Sequence, residues 1–286
     1  MFDREPLSRG TDAPVQETVH RIAFKTDIGR SHHVNQDAGG AWTWVRDDGT
    51  PASLLVVADG VSAGRRSEEV SRFVTERLSQ EMGAILLETE CSIDGTIEKL
   101  SSVIRAANHK VAERPHDASG SADATTLVAA ICLGIEGGGA WVGDSRVYRV
   151  HGEGALRLTR DHSWAEEVVS QGYLTEEQAA LDPRAHMITR WLGPPDQADP
   201  GIETFRFRLE DGDAVICCSD GLYGYYAPPL STADEMARIL HAHESDLQEA
   251  ADRLVDVALE RGGHDNITIA ALQVVQDGHS GFSLPS

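Results

Sequence analysis

Short apolar runs that end at a polar or small residue recur along the chain and predict β-strands. These predicted strands cover residues 20–28, 53–58, 125–133, 140–143, 146–150, 203–209, 214–218 and 267–275. Three longer stretches, at 67–88, 95–113 and 246–261, instead repeat apolar residues at the spacing of an amphipathic helix. Because the strands come in groups rather than alternating strictly with helices, the pattern favours an α+β fold in which helices pack outside antiparallel sheets.

Four aspartates stand at the polar ends of such apolar runs. They are Asp59, Asp144, Asp220 and Asp265. A carboxylate at a strand end is costly to desolvate alone, so it is normally paired or bound to a metal ion. We expect GDSR, residues 143–146, to form a tight hairpin turn that brings Asp144 to the same sheet edge as the others. A site built from carboxylate oxygens alone suits Mg²⁺ and Mn²⁺. Taken alone, however, each aspartate could equally well belong to an ordinary turn or cap a helix.

The charge balance narrows the possible partners. The chain of 286 residues carries 46 acidic and 25 basic residues, a net charge of −21, which disfavours nucleic acid and anionic membranes as partners. Solubility alone would account for such acidity. No apolar run approaches the ~20 residues of a membrane span, and the polar N-terminus lacks the apolar core of a signal peptide, so we expect a soluble, cytoplasmic protein.

The chain shows no linker and no internal repeat between its ends, which indicates one domain. We expect this domain to span residues 19–276, with flexible segments at 1–18 and 277–286. Residues 160–202 carry little strand signal and end in a proline-containing stretch. We therefore expect them to form a lid-like insertion on the surface near the site.

Several other chemistries lack their sequence signatures. The three lysines form no G-K-[ST] phosphate loop, and no G-x-S-x-G nucleophile elbow is present. The four cysteines form no C-x-x-C pair, and none is followed six residues later by an arginine. Cys132, Cys217 and Cys218 lie inside apolar patterns, where free cysteine behaves as a small hydrophobe. Any hydrolysis would therefore use a metal-activated water.

Eight motifs in a fixed order make the sequence resemble a known family. They are TDIGRSHHVNQDA, VVADGVSAGRRSEEVS, ATTLVAA, WVGDSRVYR, LTRDHSW, ITRWLG, CSDGLYGY and GGHDNITIA. Over roughly residues 20–275 the chain resembles a diverged bacterial member of the metal-dependent (PPM-type, type 2C) serine/threonine protein phosphatases. The resemblance implies a four-layer α-β-β-α sandwich, with two central antiparallel sheets flanked by helices. It also implies hydrolysis of phosphoserine and phosphothreonine by a water that bridges two Mg²⁺ or Mn²⁺ ions.

The resemblance also assigns ligands to the ions. They are Asp37, Asp59, Gly60, Asp144, Asp220 and Asp265. Asp59 would bridge both ions, and the carbonyl of Gly60 would bind one of them. Asp220 and Asp265 would bind the first ion, and Asp37 would hold the second through water. The partners implied are a phosphorylated protein substrate and an opposing serine/threonine kinase, and we expect a monomer.

Other positions receive supporting roles from the same resemblance. Asp144 resembles the residue that, with Asp220, binds a third, weaker ion in bacterial members. Asn266 follows the last ligand and is expected to buttress its loop. Glu68 and Ser71 match a helix-start pattern, and we expect them to orient the loop after the second motif's Asp-Gly pair. We expect His162 to be a loop hydrogen-bonder rather than a catalyst.

The chain departs from the family pattern T-D-x-G-x-V-R-x-x-N-E-D at positions that bear on the site. His32 stands where the family has the arginine that grips the substrate phosphate, and Gln36 stands where it has glutamate. A guanidinium binds two phosphate oxygens and an imidazole does not. We therefore expect His32 to bind phosphate and to be, with Asp59, a catalytic residue, or Arg30 to supply the missing charge from the same face of an extended strand. The alternative is that His32 merely packs or caps.

Three functions are compatible with these residues. The first is an active Mg²⁺- or Mn²⁺-dependent protein phosphatase. The second is a weakly active or inactive phosphatase-like module that binds phosphoproteins as a scaffold or regulator, although the presence of all the metal carboxylates argues against such decay. The third is hydrolysis of small phosphate esters, which the sequence does not separate from action on proteins.

Overall fold

A computed structural model describes residues 17–61, 66–89, 91–114, 123–193, 199–224, 232–243 and 246–277. Within these ranges the strands are β1 Glu17–Asp27, β2 Ala38–Val45, β3 Pro51–Ala58, β4 Leu127–Leu133, β5 Glu136–Val142, β6 Arg146–His151, β7 Gly154–Arg157, β8 Glu203–Arg208, β9 Ala214–Cys218 and β10 Ile267–Asp277. Each of the eight predicted strands is present, with its ends shifted by a few residues. The flexible ends predicted at 1–18 and 277–286 fall almost wholly outside the described residues.

The helices in the described ranges include the three that were predicted. They are α1 Ser67–Leu86, α2 Ile93–Ala112, α3 Trp164–Ser170, α4 Glu176–Ala180, α5 Asp220–Tyr223, α6 Thr232–Ala242 and α7 Leu247–Glu260. In α1, Val70, Val74, Leu78 and Met82 recur every fourth residue and are fully buried. This apolar stripe packs against the second sheet, as expected for an amphipathic helix on a sheet face.

The strands form two antiparallel sheets that stack face to face. The first sheet has the order β1-β10-β9-β6-β7, and the second has the order β2-β3-β4-β5-β8. The inner faces share one hydrophobic core, in which Val57 of the second sheet and Cys217 of the first are both fully buried. Helices α1 and α2 cover the outer face of the second sheet, and α6 and α7 cover that of the first. The predicted four-layer α-β-β-α sandwich is therefore confirmed.

The hairpin predicted at residues 143–146 is wrong. β5 belongs to the second sheet and β6 to the first, so GDSR carries the chain from one sheet to the other. Gly143 permits this crossing, because it has a φ of 107° and a Cβ there would lie 2.6 Å from the Cβ of Thr126. Sequence alone favours a hairpin at such a place, since consecutive strands usually pair.

Four elements were not predicted, namely β2, β7, α5 and α6. β2 carries two glycines directly after its first residue, Ala38, and glycine has little intrinsic preference for a strand. At Gly39 a Cβ would lie 2.6 Å from the carbonyl oxygen of Val56 and 3.0 Å from the ring of Phe24, so the glycine allows a close approach inside the sandwich. β7 has only four residues, too few for a periodic pattern to be recognised.

The segment predicted as a lid-like insertion, residues 160–202, contains α3 and α4 and no named strand within its described residues. Isolated bridges join Ser163 to Ile188 and Leu192 to Thr125, so both ends of the described part are tied down. Its action as a lid stays a prediction. None of the helices in the described part of the chain combines the length and apolar character that crossing a membrane requires.

Candidate active site

The candidate active site lies at one edge of the sandwich, where strands of both sheets begin or end. Asp37 and Asp59 adjoin β2 and β3 of the second sheet, and Asp144 lies in the crossing between the sheets. Asp220 follows β9, and Asp265 precedes β10, both of the first sheet. The antiparallel register brings these strand ends to the same edge. The opposed residues there are Ala38 and Ala58, Leu127 and Val142, Ile269 and Cys218, and Arg146 and Cys218.

The carboxylates at this edge interact with one another electrostatically. Burial raises the pKa of Asp59 well above its usual range, and the charges of Asp37, Asp220 and Asp144 raise it further. Burial also raises the pKa of Asp37 to about 7, despite a hydrogen bond from the Ser219 hydroxyl. The pKa of Asp144 is raised to about 7 by burial and by the charge of Asp220. Four carboxylates therefore share a desolvated cluster in which ionisation is unfavourable.

Asp265 completes the cluster from a more open position. Its side chain is 47% exposed, and its Oδ1 accepts a hydrogen bond of 2.8 Å from the backbone N–H of Asn266. Burial raises the pKa of Asp220, and the negative charge of Asp265 adds to that rise. The five aspartates that the resemblance assigned to the ions are thus brought together by the fold.

Two oxygens of the cluster are chemically unsatisfied. Oδ1 of Asp37 and Oδ1 of Asp220 are buried and have no hydrogen-bond partner within the described residues. A buried carboxylate oxygen without a hydrogen-bond partner is energetically costly. Such oxygens are the ligands that hard divalent cations prefer. No group of three or more His, Cys, Asp or Glu side chains has the geometry of a finished metal site in the ranges described. The unsatisfied oxygens and the repulsion between the carboxylates therefore support a cation site. The side chains of the described residues do not by themselves form a complete coordination sphere.

Two threonines hold the chain at Asp59, and neither was predicted from the sequence. The N–H of Thr126 and the hydroxyl of Thr125 donate to the carbonyl of Asp59 at 2.8 and 2.9 Å. The N–H of Asp59 donates in turn to Oγ1 of Thr126 at 3.2 Å. The next residue, Gly60, packs tightly, because a Cβ there would lie 2.6 Å from the carbonyl oxygen of Gln36. The sequence signal that could have identified these threonines is their position in the ATTLVAA motif.

The loop between β1 and β2 is braced by side chains from distant parts of the chain. Asn266 accepts a hydrogen bond of 2.7 Å from the N–H of Gln36 and donates one of 2.8 Å to the carbonyl of Ile28. The hydroxyl of Ser71 donates to the carbonyl of Gln36 at 2.6 Å. Asn266 thus buttresses this loop as expected, whereas Ser71 braces residue 36 and the hydroxyl of Ser67 holds the carbonyl of Val61 at 2.6 Å.

The crossing that carries Asp144 is held from two sides. The hydroxyl of Tyr223 donates to the carbonyl of Asp144 at 3.0 Å. Nδ1 of His162 accepts a hydrogen bond of 3.0 Å from the N–H of Gly143, and the backbone N–H of His162 donates to the carbonyl of Gly143 at 3.0 Å. The His162 ring also stacks on Trp141, with ring centres 5.7 Å apart. His162 is therefore a loop hydrogen-bonder, as expected.

The two residues predicted to bind phosphate lie in a turn at the rim of the cluster. Nε2 of His32 lies 3.2 Å from Oδ1 of Asp265, so the imidazole contacts a predicted metal ligand. Arg30 is exposed, and its backbone N–H donates to the carbonyl of Gly263 at 2.7 Å. The premise that Arg30 and His32 share one face of an extended strand is wrong, because β1 ends at Asp27 and Gly29 turns the chain with a φ of 73°.

Comparison with known proteins gives consistent matches over most of the chain. Residues 28–258 match the family described as protein phosphatase 2C. A serine/threonine phosphatase stp of Listeria innocua is 32% identical over 255 residues, which are 87% of this chain and 94% of that protein. The solved structure of a serine/threonine phosphatase of S. agalactiae has a TM-score of 0.74 and 32% identity, covering 89% of this chain and 99% of that one. The catalytic domain of the phosphatase PstP, solved with two manganese ions, has a TM-score of 0.67 and 25% identity, covering 90% and 99%.

Proposed function

This chain belongs to the protein phosphatase 2C family of metal-dependent serine/threonine phosphatases, and we propose that it hydrolyses phosphoserine and phosphothreonine in proteins at the carboxylate cluster. One observation carries the proposal: buried carboxylates from the ends of both sheets converge, and two of their oxygens have no hydrogen-bond partner in the described structure. Proteins phosphorylated by a serine/threonine kinase would be its substrates.

The residues that would hold Mn²⁺ or Mg²⁺ all lie at this edge. They are Asp37, Asp59, Asp144, Asp220, Asp265 and the carbonyl of Gly60. The all-oxygen donor set suits these hard cations. When bound, two such ions would supply a water of lowered pKa for direct attack on phosphorus and would neutralise phosphoryl charge.

The protein's own part is to fix these oxygens before substrate arrives. Ser219 orients Asp37, and the threonine pair orients the backbone at Asp59. Rigid strand ends are suited to this work because a catalytic arrangement loses rate when it is displaced by about 1 Å. His32 at the rim, held beside Asp265, would contact the substrate phosphate, and Arg30 in the adjoining turn would add a positive charge.

The test is release of phosphate from a phosphothreonine peptide with Mn²⁺ present and with the ion chelated. We expect release only with Mn²⁺, and a loss of about a hundredfold or more in kcat for Asp59→Ala and Asp220→Ala, since each removes a predicted ligand. Asp256→Ala removes an exposed aspartate of α7 and should behave as the wild type. Mn²⁺ binding measured by calorimetry should fall in the same two variants and not in Asp256→Ala.

The same experiment separates the alternatives. Undetectable turnover in saturating Mn²⁺, with tight binding of the phosphopeptide retained, would contradict the proposal and identify a phosphoprotein-binding module. Turnover of p-nitrophenyl phosphate without any turnover of phosphopeptides would assign the protein to small phosphate esters. A higher KM with an unchanged kcat in His32→Ala would support phosphate binding by His32. The same two constants measured for Arg30→Ala test Arg30 as the second candidate.

A further inference from the structure

A cavity of about 460 Å³ lies between the first sheet and the segment that carries α3 and α4. Arg146 and Arg157 line it from the sheet, and Glu166 and Glu176 line it from the two helices. Four alanine side chains contribute to its lining. The cavity therefore combines apolar surface with charged groups, as side-chain binding pockets commonly do.

The cavity adjoins the carboxylate cluster. The guanidinium carbon of Arg146 lies 3.6 Å from the centre of the Tyr223 ring, and the Tyr223 hydroxyl donates to the carbonyl of Asp144. Farther along the lining, His186 is close enough to Asp220 for its charge to oppose the rise in pKa that burial causes there. A peptide whose phosphorylated residue lies on the cluster would thus run past this cavity.

One carboxylate of the lining has no cationic partner among the described residues. Nη2 of Arg146 lies 2.6 Å from Oδ2 of Asp161, and Nη2 of Arg157 lies 3.3 Å from Oε2 of Glu166. Glu176 is exposed and has no cationic partner within the described part of the chain. Asp161 and Glu166 are paired with these two guanidinium groups, and the imidazole of His186 also lines the cavity, so Glu176 is the carboxylate of the lining that is left to bind an added cation.

We infer that this cavity is a substrate subsite for the side chain of a lysine or arginine near the phosphorylated residue. The inference rests on the proposed function and names its substrate class. The aliphatic stem of such a side chain would pack on the alanines while its cationic head faces Glu176. An acidic residue or a second phosphate would instead meet the unpaired carboxylate of Glu176 and be disfavoured.

The test uses phosphothreonine peptides that carry lysine, alanine or glutamate at each neighbouring position in turn. We expect one position at which kcat/KM for the lysine peptide exceeds that for the alanine peptide by about twofold to fivefold, with glutamate below alanine. The difference should lie in KM, because the contact is the same in the ground state and the transition state. Raising the ionic strength should reduce it.

The matched variants are Glu176→Lys and Glu177→Lys, which make the same change of charge at adjacent exposed residues of α4. Only Glu176 lines the cavity, so Glu176→Lys should lose the lysine preference and Glu177→Lys should keep it. Glu176→Gln removes the charge at nearly constant shape and should also lose the preference. Thermal melting checks that all three fold.

Two results would overturn this inference. The first is equal kcat/KM for the lysine and alanine peptides at every position while metal-dependent phosphate release proceeds. The second is the same loss of preference in Glu176→Lys and Glu177→Lys, which would indicate a general effect of surface charge. Absence of metal-dependent release from every peptide would overturn the proposed function instead.

Discussion

At the scale of single residues, Ser219 illustrates how one hydroxyl orients a carboxylate. It is fully buried, donates to Oδ2 of Asp37 at 2.8 Å and accepts the N–H of Thr268 at 3.0 Å. Both partners are themselves buried, so the serine satisfies groups that water does not reach. Of the two carboxylate oxygens of Asp37, Oδ1 is the one without a partner in the described structure, so it is the oxygen with which that carboxylate can bind a cation.

His20 should make stability depend on pH. Its Nε2 bonds to the carbonyl of Gly134 at 2.6 Å and its Nδ1 to the hydroxyl of Ser53 at 2.8 Å, so the neutral ring donates at Nε2. Burial lowers the pKa of His20 below its usual 6.5. The unfolded chain therefore binds the proton more readily, and stability falls as the pH drops through about 6.5 and levels off below the folded pKa.

The measurement is urea unfolding of the wild type and of His20→Gln at pH values near 7 and 5. The wild type should lose about 1 kcal/mol more than the variant over this interval. Comparison with the variant cancels the titration of other groups. His109→Gln, on the exposed face of α2, should keep the steeper dependence of the wild type. Equal losses in the wild type and His20→Gln would contradict the prediction.

The acidic residues of the site could be predicted one by one, and the groups that hold them could not. A carboxylate just beyond an apolar strand is normally paired or bound to a cation, so Asp59 and Asp220 could be recognised from the sequence as candidate site residues. Thr126 and Ser219 look like ordinary residues near strand ends until their hydrogen bonds are known. Arg30 was misplaced because the chain from Arg30 to His32 was expected to be extended, whereas it lies in a turn that begins at Gly29.

At the scale of elements, strong periodicity was a reliable guide and connectivity was not. The helices α1, α2 and α7 and the apolar strands are stabilised by packing that their own sequences encode. The sheet to which a strand belongs depends on contacts far away in the chain. The pairing of β6 with β9 rather than with β5 is such a case, since both alternatives satisfy the same local pattern.

The crossing between the sheets should be sensitive to Gly143→Ala. This substitution adds the strain of a φ of 107° to a Cβ placed 2.6 Å from the Cβ of Thr126. We expect a loss of about 2–4 kcal/mol in the free energy of unfolding, measured in urea, and weaker Mn²⁺ binding through the displaced Asp144.

The matched control is Gly49→Ala in the turn between β2 and β3. Gly49 has a φ of 81°, but nothing lies within 4 Å of a Cβ there, so only the backbone strain of about 1 kcal/mol applies. Similar losses in the two variants would show that the contact with Thr126 is unimportant.

At the scale of the whole molecule, the site is built by stacking two sheets that each supply carboxylates. The pKa values of Asp37 and Asp144 are raised to about 7 mainly by burial, which shows that the folded chain holds these charges at a cost. The net charge of −21 adds general repulsion. A folded protein with such a cluster gains stability from any cation that binds there.

Asp59→Asn should therefore change stability in opposite directions with and without metal. In chelator near pH 8 the variant should be more stable than the wild type by about 1 kcal/mol, since burial and the neighbouring charges raise the pKa of Asp59 well above its usual range. With Mn²⁺ at a hundred times its Kd the wild type should gain about 2.7 kcal/mol and the variant much less. Urea unfolding under both conditions measures this, with Asp256→Asn as the neutral control. A variant less stable than the wild type in chelator would contradict the prediction.

Because the carboxylates come from the ends of both sheets, neither layer could be transplanted into another scaffold as a self-sufficient catalytic module. Asp59 and Asp37 would travel with one layer, and Asp220 and Asp265 with the other. Under the proposed function, turnover would therefore require the two layers to be docked. A chain divided into two separately purified fragments would regain it only upon reassembly.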